Sequence, residues 1–346
     1  MFYDIGNTAL TFYDVTSKDT PVHQNSSSKR FLDFDQNALC ALANLNPNLT
    51  TLRLDYCGRI NDAVIASWNT SLPNLINIEL LGPFLVRAPA WKSFFKAHPN
   101  LSVFLITQNP RFDVDCVKEL VKNSPRLTEL RLREIGRMCD EFLKVLWSSD
   151  LALTYLDLAY SGNAELIGET AVMNLVKQLG PTLKHLDLSG IVSITDDFFL
   201  SCLKYHAPNL ESLAVASLEE LTDENIGRFF SEWEKNSGLT SVDLSRNHAL
   251  SSFALDGILQ HSGSQLKCLS ISGWRTTSNE SLNMIAELAT GLSKIDVGWC
   301  REVDDCALAK IQDRCEDLKD LSCWGCNRVT RAARKRVSVM SRSLLM

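Results

Sequence analysis

The stretch LTTLRLDYCGRIND, residues 49–62, carries leucines at 49, 52 and 54, a cysteine at 57 and an Ile60-Asn61-Asp62 step. Apolar residues at 52 and 54 have the period of a strand that buries one face, and Asn or Asp after an apolar residue is how a helix starts. The hexad L-x-x-L-x-L, with other apolar residues at some leucines, begins again at Leu75, Leu101, Leu127, Leu153, Leu183, Leu210, Leu239, Leu266, Leu292 and Leu318, 26 to 30 residues apart. Helix starts recur with it, at Ile194-Thr195-Asp196 and Leu221-Thr222-Asp223. Six prolines, at 47, 73, 99, 125, 181 and 208, stand two residues before a repeat's first leucine. A ring that fixes φ and lacks an N–H ends a helix there and extends the chain toward the next strand.

A strand-plus-helix unit of this length falls in the leucine-rich-repeat range. The expected fold is an α/β solenoid, a horseshoe with a parallel sheet on the concave face and helices on the convex face. Within each repeat, positions one, four and six point to the core, and three, five and seven to the concave surface. Residues 49–346 read as a domain of eleven repeats with a basic carboxy-terminal tail. Residues 1–48 read as a partial repeat, with a strand in FYDIGNTALTFYDV, a polar flexible insertion SKDTPVHQNSSSKR and a helix over LDFDQNALCALANL.

The composition, 45% hydrophobic and 22% charged, includes no run of about eighteen apolar residues that could span a membrane. The first residues show neither a basic region nor an apolar core of a secretory signal, and eleven cysteines are an odd count, so a reducing compartment is expected rather than a disulfide framework. The net charge is −6, yet Arg328, Arg331, Arg334, Lys335, Arg336 and Arg342 close the chain with no acid among them. An acidic body with a basic tail does not suit nucleic-acid binding along the whole length.

Catalytic chemistry finds no foothold. Phosphate-loop, nucleophile-elbow and zinc-protease motifs are missing, and histidines 23, 98, 185, 206, 248 and 261 lack ligand spacing, so neither enzyme, cofactor nor metal is expected. The pair in Cys323-Trp324-Gly325-Cys326 falls in register at positions six and nine, facing the core, and Cys300, Cys306 and Cys315 are read the same way.

Recognition is the expected work. Asp157, Asp187, Asp243 and Asp296 all occupy position five on the concave face. Strands about 4.8 Å apart would set Asp157 beside Asp187, so the face either awaits a basic partner or is simply solvated. Trp274, Trp299 and Trp324, at positions nine, eight and seven of successive repeats, form a diagonal near the rim, where Tyr56 and Tyr160 also belong. These are either interface anchors or cover for the solenoid's last core edge. The tail RAARKR, with Arg331, Arg334, Lys335 and Arg336, reads as an import signal, a nucleic-acid patch or a solvated helix face.

Cysteines at position nine, in the form L-x-x-L-x-L-x-x-C-x-x-[IV]-[TDN]-D, resemble the subclass typical of F-box leucine-rich-repeat proteins over residues 49–329. PNLTTLRLDYCGRINDAVIASW, LSISGW, IDVGWCREVDD and CWGCNRVT are similar to the fungal Rad-seven DNA-repair family. That resemblance implies a nuclear, non-catalytic scaffold in global-genome nucleotide excision repair, partner of a Swi/Snf-type ATPase with a RING finger. It also implies a cullin ubiquitin ligase with an elongin-C-like adaptor, and contact with damaged DNA through the complex. The family's adaptor-binding box lies in an amino-terminal extension, and these residues start almost at the repeats. The alternative reading is a substrate receptor of an F-box-type ligase, or a cell-cycle inhibitor with the same repeats.

Overall fold

The computed structural model describes residues 9–12, 35–55, 58–234 and 236–333, and the chain divides into two compact units, Met1–Gly162 and Asn163–Met346. In the first, β1 (Ala9–Phe12), α1 (Gln36–Leu45), β2 (Thr51–Leu54), α2 (Asp62–Ser71), β3 (Asn77–Leu81) and α3 (Ala88–Ala97) lead into β4 (Val103–Thr107), α4 (Val114–Asn123), β5 (Glu129–Arg133), α5 (Asp140–Trp147) and β6 (Tyr155–Asp157). The second holds α6 (Glu169–Leu179), β7 (His185–Asp187), a π-helical turn Phe198–Leu203 running into α7 (Lys204–His206), β8 (Ser212–Ala214) and α8 (Asp223–Ser231). It continues with β9 (Ser241–Asp243), α9 (Ser252–Ser262), β10 (Cys268–Ser270), α10 (Asn279–Leu288), β11 (Lys294–Asp296), α11 (Asp305–Arg314) and β12 (Asp320–Ser322).

Within each unit consecutive strands pair in parallel and helices pack on neighbouring helices, as in β3 with β4 and α3 with α4. This is a leucine-rich-repeat solenoid. Every expected repeat supplies one strand, starting at its third position, and β1 pairs with β2 as an earlier strand would. Strand burial alternates as the register requires: Leu52 and Leu54 are closed off, Thr51 and Arg53 half-buried. All six flagged prolines stand two residues beyond the last residue of a helix, at Leu45, Ser71, Ala97, Asn123, Leu179 and His206. Among the described residues no helix is long and apolar enough to cross a membrane. The polar insertion, Tyr56, Cys57 and the chain beyond Ala333 lie outside the described residues.

Helix starts are tied sideways as well as locally. Asn61 accepts from Ala63 N and Val64 N, the local cap that the sequence suggests. The carboxylate in the first turn of a helix then reaches the next repeat. Asp62 accepts from Arg87 N (2.8 Å), Asp196 from Thr222 N (3.0 Å), and Asp305 from Thr330 N (2.8 Å). Asp223 does most, accepting from the backbone N–H of Ser251 (2.7 Å), Phe253 (3.3 Å) and Ala254 (2.9 Å) and from Ser251 Oγ. Thr222, expected as a cap, donates its hydroxyl to Asp196 instead. One acid thus satisfies the orphan donors of its neighbour's helix.

In five repeats position nine carries a buried side-chain donor to the repeat before. Ser161 Oγ donates to Leu132 O (2.9 Å), Asn247 Nδ2 to Val215 O (2.9 Å), Trp274 Nε1 to Leu244 O (2.9 Å), Cys300 Sγ to Ile271 O (3.2 Å) and Cys326 Sγ to Val297 O (3.1 Å). Each acceptor is the sixth residue of the preceding repeat, so each bond ties one repeat to the next; Ile271 O and Val297 O also accept the N–H three residues on. Hydroxyl, amide, indole and thiol do the same work here. Burial pushes the Cys300 thiol up to about 12, so it stays protonated and unreactive.

Two expectations are corrected by the structure. Trp274 is fully buried and cannot anchor a partner, because the turn after β10 carries position nine inward along with the cysteines. Cys306, expected in the core, is exposed: it lies in the first turn of α11, where Ala307, Leu308 and Ile311 form the buried stripe.

Candidate functional site in the last repeats

The backbone turns at position eight of every described repeat in the same way. Gly82, Gln108, Glu134, Tyr160, Gly190, Ser217, Arg246, Gly273, Trp299 and Gly325 all have φ between +54° and +88°. A left-handed turn suits glycine and costs other residues roughly 1–2 kcal/mol. Arg246 and Trp299 occupy it nonetheless, at φ +60° each, and both line the same groove.

That groove encloses about 610 Å³ beside the ends of β9 to β12 and is lined by Arg246, His248, Arg275, Trp299, Arg301 and Trp324, with Asp296 and small residues between them. His248, Arg275 and Arg301 are the tenth residues of three successive repeats, so they form a column. Trp299 and Trp324 are 64% and 66% exposed, which is unusual for indoles. Among the described residues Arg246, Arg275 and Arg301 make no ion pair. Cations on the first unit's strands are occupied: Arg53 meets Glu79 (3.2 Å), Arg131 meets Glu129 (2.8 Å) and Arg133 meets Asp157 (2.8 Å).

At position eight the main-chain donors of the groove are spent along the sheet. Arg246 N donates to Ser272 O (2.6 Å), Gly273 N to Gly298 O (2.7 Å) and Trp299 N to Trp324 O (2.6 Å). His248 Nδ1 faces the Gly273 carbonyl at 3.1 Å, which makes it the protonated nitrogen and leaves Nε2 for solvent or ligand. The side chains on offer are three guanidinium groups that suit carboxylate or phosphate, and two indole faces that suit apolar or planar groups.

The aspartates expected to form an acidic face have a different job. Oδ1 of Asp157, Asp187, Asp243 and Asp296 accepts the backbone N–H two residues on, from Ala159 (3.0 Å), Ser189 (3.0 Å), Ser245 (2.9 Å) and Gly298 (2.8 Å). They close the turn that leads out of each strand. Asp157 is also buried, at 2% exposure, and paired to Arg133, so it is corrected from partner-binding to structural. The other three are half-buried. Tyr160 is exposed at 42% in the first unit, Arg331 is exposed, and Tyr56, Arg334, Lys335 and Arg336 lie outside the described residues. Sequence reasoning missed Arg246, His248, Arg275 and Arg301. Reading position ten down the repeats, as was done for position five, is the signal that finds three of them.

No family model matches the chain. It is 29% identical over 294 residues to the DNA repair protein rhp7 of Schizosaccharomyces pombe, covering 84% of this chain and 52% of that one. It is 28% identical over 301 residues to the DNA repair protein RAD7 of Saccharomyces cerevisiae, covering 85% and 53%. The chain is homologous to these Rad7-type repair proteins. It spans about half the length of the curated relatives it matches. The solved structure of yeast Rad7 in complex with Elc1 superposes with a TM-score of 0.77 at 26% identity, over 86% of this chain and 75% of that chain. LegL7, a leucine-rich-repeat protein of Legionella pneumophila, has a TM-score of 0.50 at 12% identity over 80% and 93%, a likeness of fold alone.

Proposed function

We propose that the chain is the repeat region of a non-catalytic recognition scaffold that works in the nucleus in global-genome nucleotide excision repair. Its partners in this reading are a Swi/Snf-type ATPase with a RING finger, which supplies the motor, and a cullin ubiquitin ligase. Damaged DNA is reached through the complex. The observation that carries the reading is homology to Rad7 and rhp7 over 84–85% of this chain, combined with a fold match to Rad7 in complex with Elc1. An Elc1-like adaptor is accordingly a partner of the whole protein.

Surface chemistry supports recognition rather than turnover. The groove of the last repeats offers cations and indoles without a nucleophile paired to a base, and stacked repeats present such side chains at fixed spacing. Affinity purification of the tagged gene product from a fungal nuclear extract, read by mass spectrometry, tests the proposal. Recovery of a Swi/Snf-type ATPase together with an Elc1-like adaptor is expected. Recovery of a different ligase adaptor without any repair ATPase would transfer the chain to the generic substrate-receptor class.

A further inference from the structure

We propose that the groove of the last repeats holds an acidic, extended peptide segment bearing an apolar or aromatic side chain, its carboxylates on Arg246, Arg275 and Arg301 and its apolar group on Trp299 and Trp324. This rests on the groove itself and not on the repair reading.

Charge complementarity comes first. An arginine with no ion pair among the described residues, on a protein of net charge −6 where carboxylates are plentiful, is available to an outside anion, and three such arginines line one groove. Their guanidinium forks match carboxylates bidentately. Position ten repeats once per strand, so His248, Arg275 and Arg301 climb at about 4.8 Å per repeat. A segment lying across the repeats meets an imidazole and then two guanidinium groups at successive steps.

Nucleic acid offers the same pairing of anion and planar group, but three features favour peptide. Phosphate sites recruit free backbone N–H groups, and here Arg246, Gly273 and Trp299 have given theirs to neighbouring carbonyls. A carboxylate, Asp296, sits in the lining, where it opposes a continuous run of phosphates yet can take an amide or hydroxyl of a peptide. The basic patch is also small and set in an acidic chain, whereas nucleic-acid affinity grows with the number of phosphates neutralised. Meanwhile Trp299 leaves its indole 64% exposed to water. The turn is common to the repeats, so what sets Trp299 apart is its exposed indole, and tryptophan is enriched among the residues that anchor interfaces.

Panning the full chain against a displayed library of random twelve-residue peptides tests the assignment. Enriched peptides should carry two or more acids and an aromatic or leucine. Their affinity should fall about tenfold or more in Arg275→Glu and in Trp324→Ala, and much less in Arg275→Lys. Both positions are exposed, and unchanged melting curves for the variants would separate lost binding from lost folding. Enrichment of neutral or basic peptides, or acidic peptides indifferent to both variants, would overturn the proposal. So would tighter binding of a labelled oligothymidylate than of any selected peptide, if that binding is lost in the same two variants.

Discussion

The indole of Trp299 covers the α-carbon of Gly325, one repeat on: a β-carbon built at Gly325 would lie 2.6 Å from Trp299 Cε3 and 2.8 Å from Cε2. Both residues occupy the left-handed turn at position eight, at φ +60° and +77°. The exposed tryptophan is therefore seated on a glycine of its neighbour, which leaves its outer face free.

Gly325→Ala should push Trp299 off its seat and, with the added backbone strain, destabilise the fold by roughly 1–2 kcal/mol. Pairing it with Trp299→Ala removes the overlap and leaves the strain. A double-mutant cycle from urea denaturation should then show a coupling above about 0.5 kcal/mol. Strictly additive losses would mean that the ring does not rest on Gly325.

Asn247 is the most demanding member of the donor column. Its Nδ2 donates to Val215 O (2.9 Å) and Leu244 O (3.0 Å), and its Oδ1 accepts from Leu218 N. Asn247→Leu would strand two buried backbone groups, Val215 O and Leu218 N, because Leu244 O keeps the Trp274 indole, and should cost about 2 kcal/mol or more. Cys326→Ala should cost about 1 kcal/mol or less, because Val297 O keeps the N–H of Cys300. Chemical denaturation of both variants measures the difference.

Thiol labelling checks the same column from another side. Cys306 is exposed and should react with an aromatic disulfide reagent in the native state, whereas Cys300, with its pKa raised to about 12, should react only on unfolding. Chelator should leave the melting temperature unchanged, because the thiols already serve as donors to carbonyls. A chelator-induced drop would restore a metal reading.

Asp223 binds α8 to the start of α9 through three backbone donors and a hydroxyl. Asp223→Ala should cost about 2 kcal/mol. Hydrogen exchange should locate the loss at the amides of Ser251, Phe253 and Ala254. Uniformly faster exchange across the chain, with no excess there, would speak against a cap.

His98 makes stability depend on pH. Its ring is 1% exposed, has no partner on either nitrogen and packs 4.3 Å from the centroid of Phe94; burial pushes its pKa down to about 4. The unfolded chain takes up the proton near pH 6.5, so between pH 6.5 and 4 it holds more protons than the folded chain. The stability that neutral His98 allows is complete above pH 6.5 and falls as pH drops through that window, by up to about 3 kcal/mol. In His98→Leu, urea midpoints at pH 7 and pH 4.5 should lie closer together than in the parent chain.

The repeats were legible because their signal is local. Leu52 and Leu54 alternate within one strand, and Pro73 stops α2 within two residues of its end. Both depend on near neighbours in the chain, and the eleven copies reinforce one another. The assignment of Cys326 to the core followed from the same register and agrees with its full burial. Where local reasoning was applied loosely it failed: Trp274 shares position nine with Cys326, and the register itself would have sent it inward.

Sequence by itself determined the period, the strand and helix of each repeat, the face each strand residue takes, and the resemblance to a repair family. These follow from backbone periodicity and from side chains acting on their own segment. Tertiary structure decided what the polar residues do. Asp157 turned from surface acid to buried partner of Arg133, 24 residues away, and Asp223 became the cap of a helix about thirty residues on. Arg246, Arg275 and Arg301 became a groove only when stacking set three turns side by side. Charges and caps find partners across repeats, at spacings set by the stack and not by any one segment.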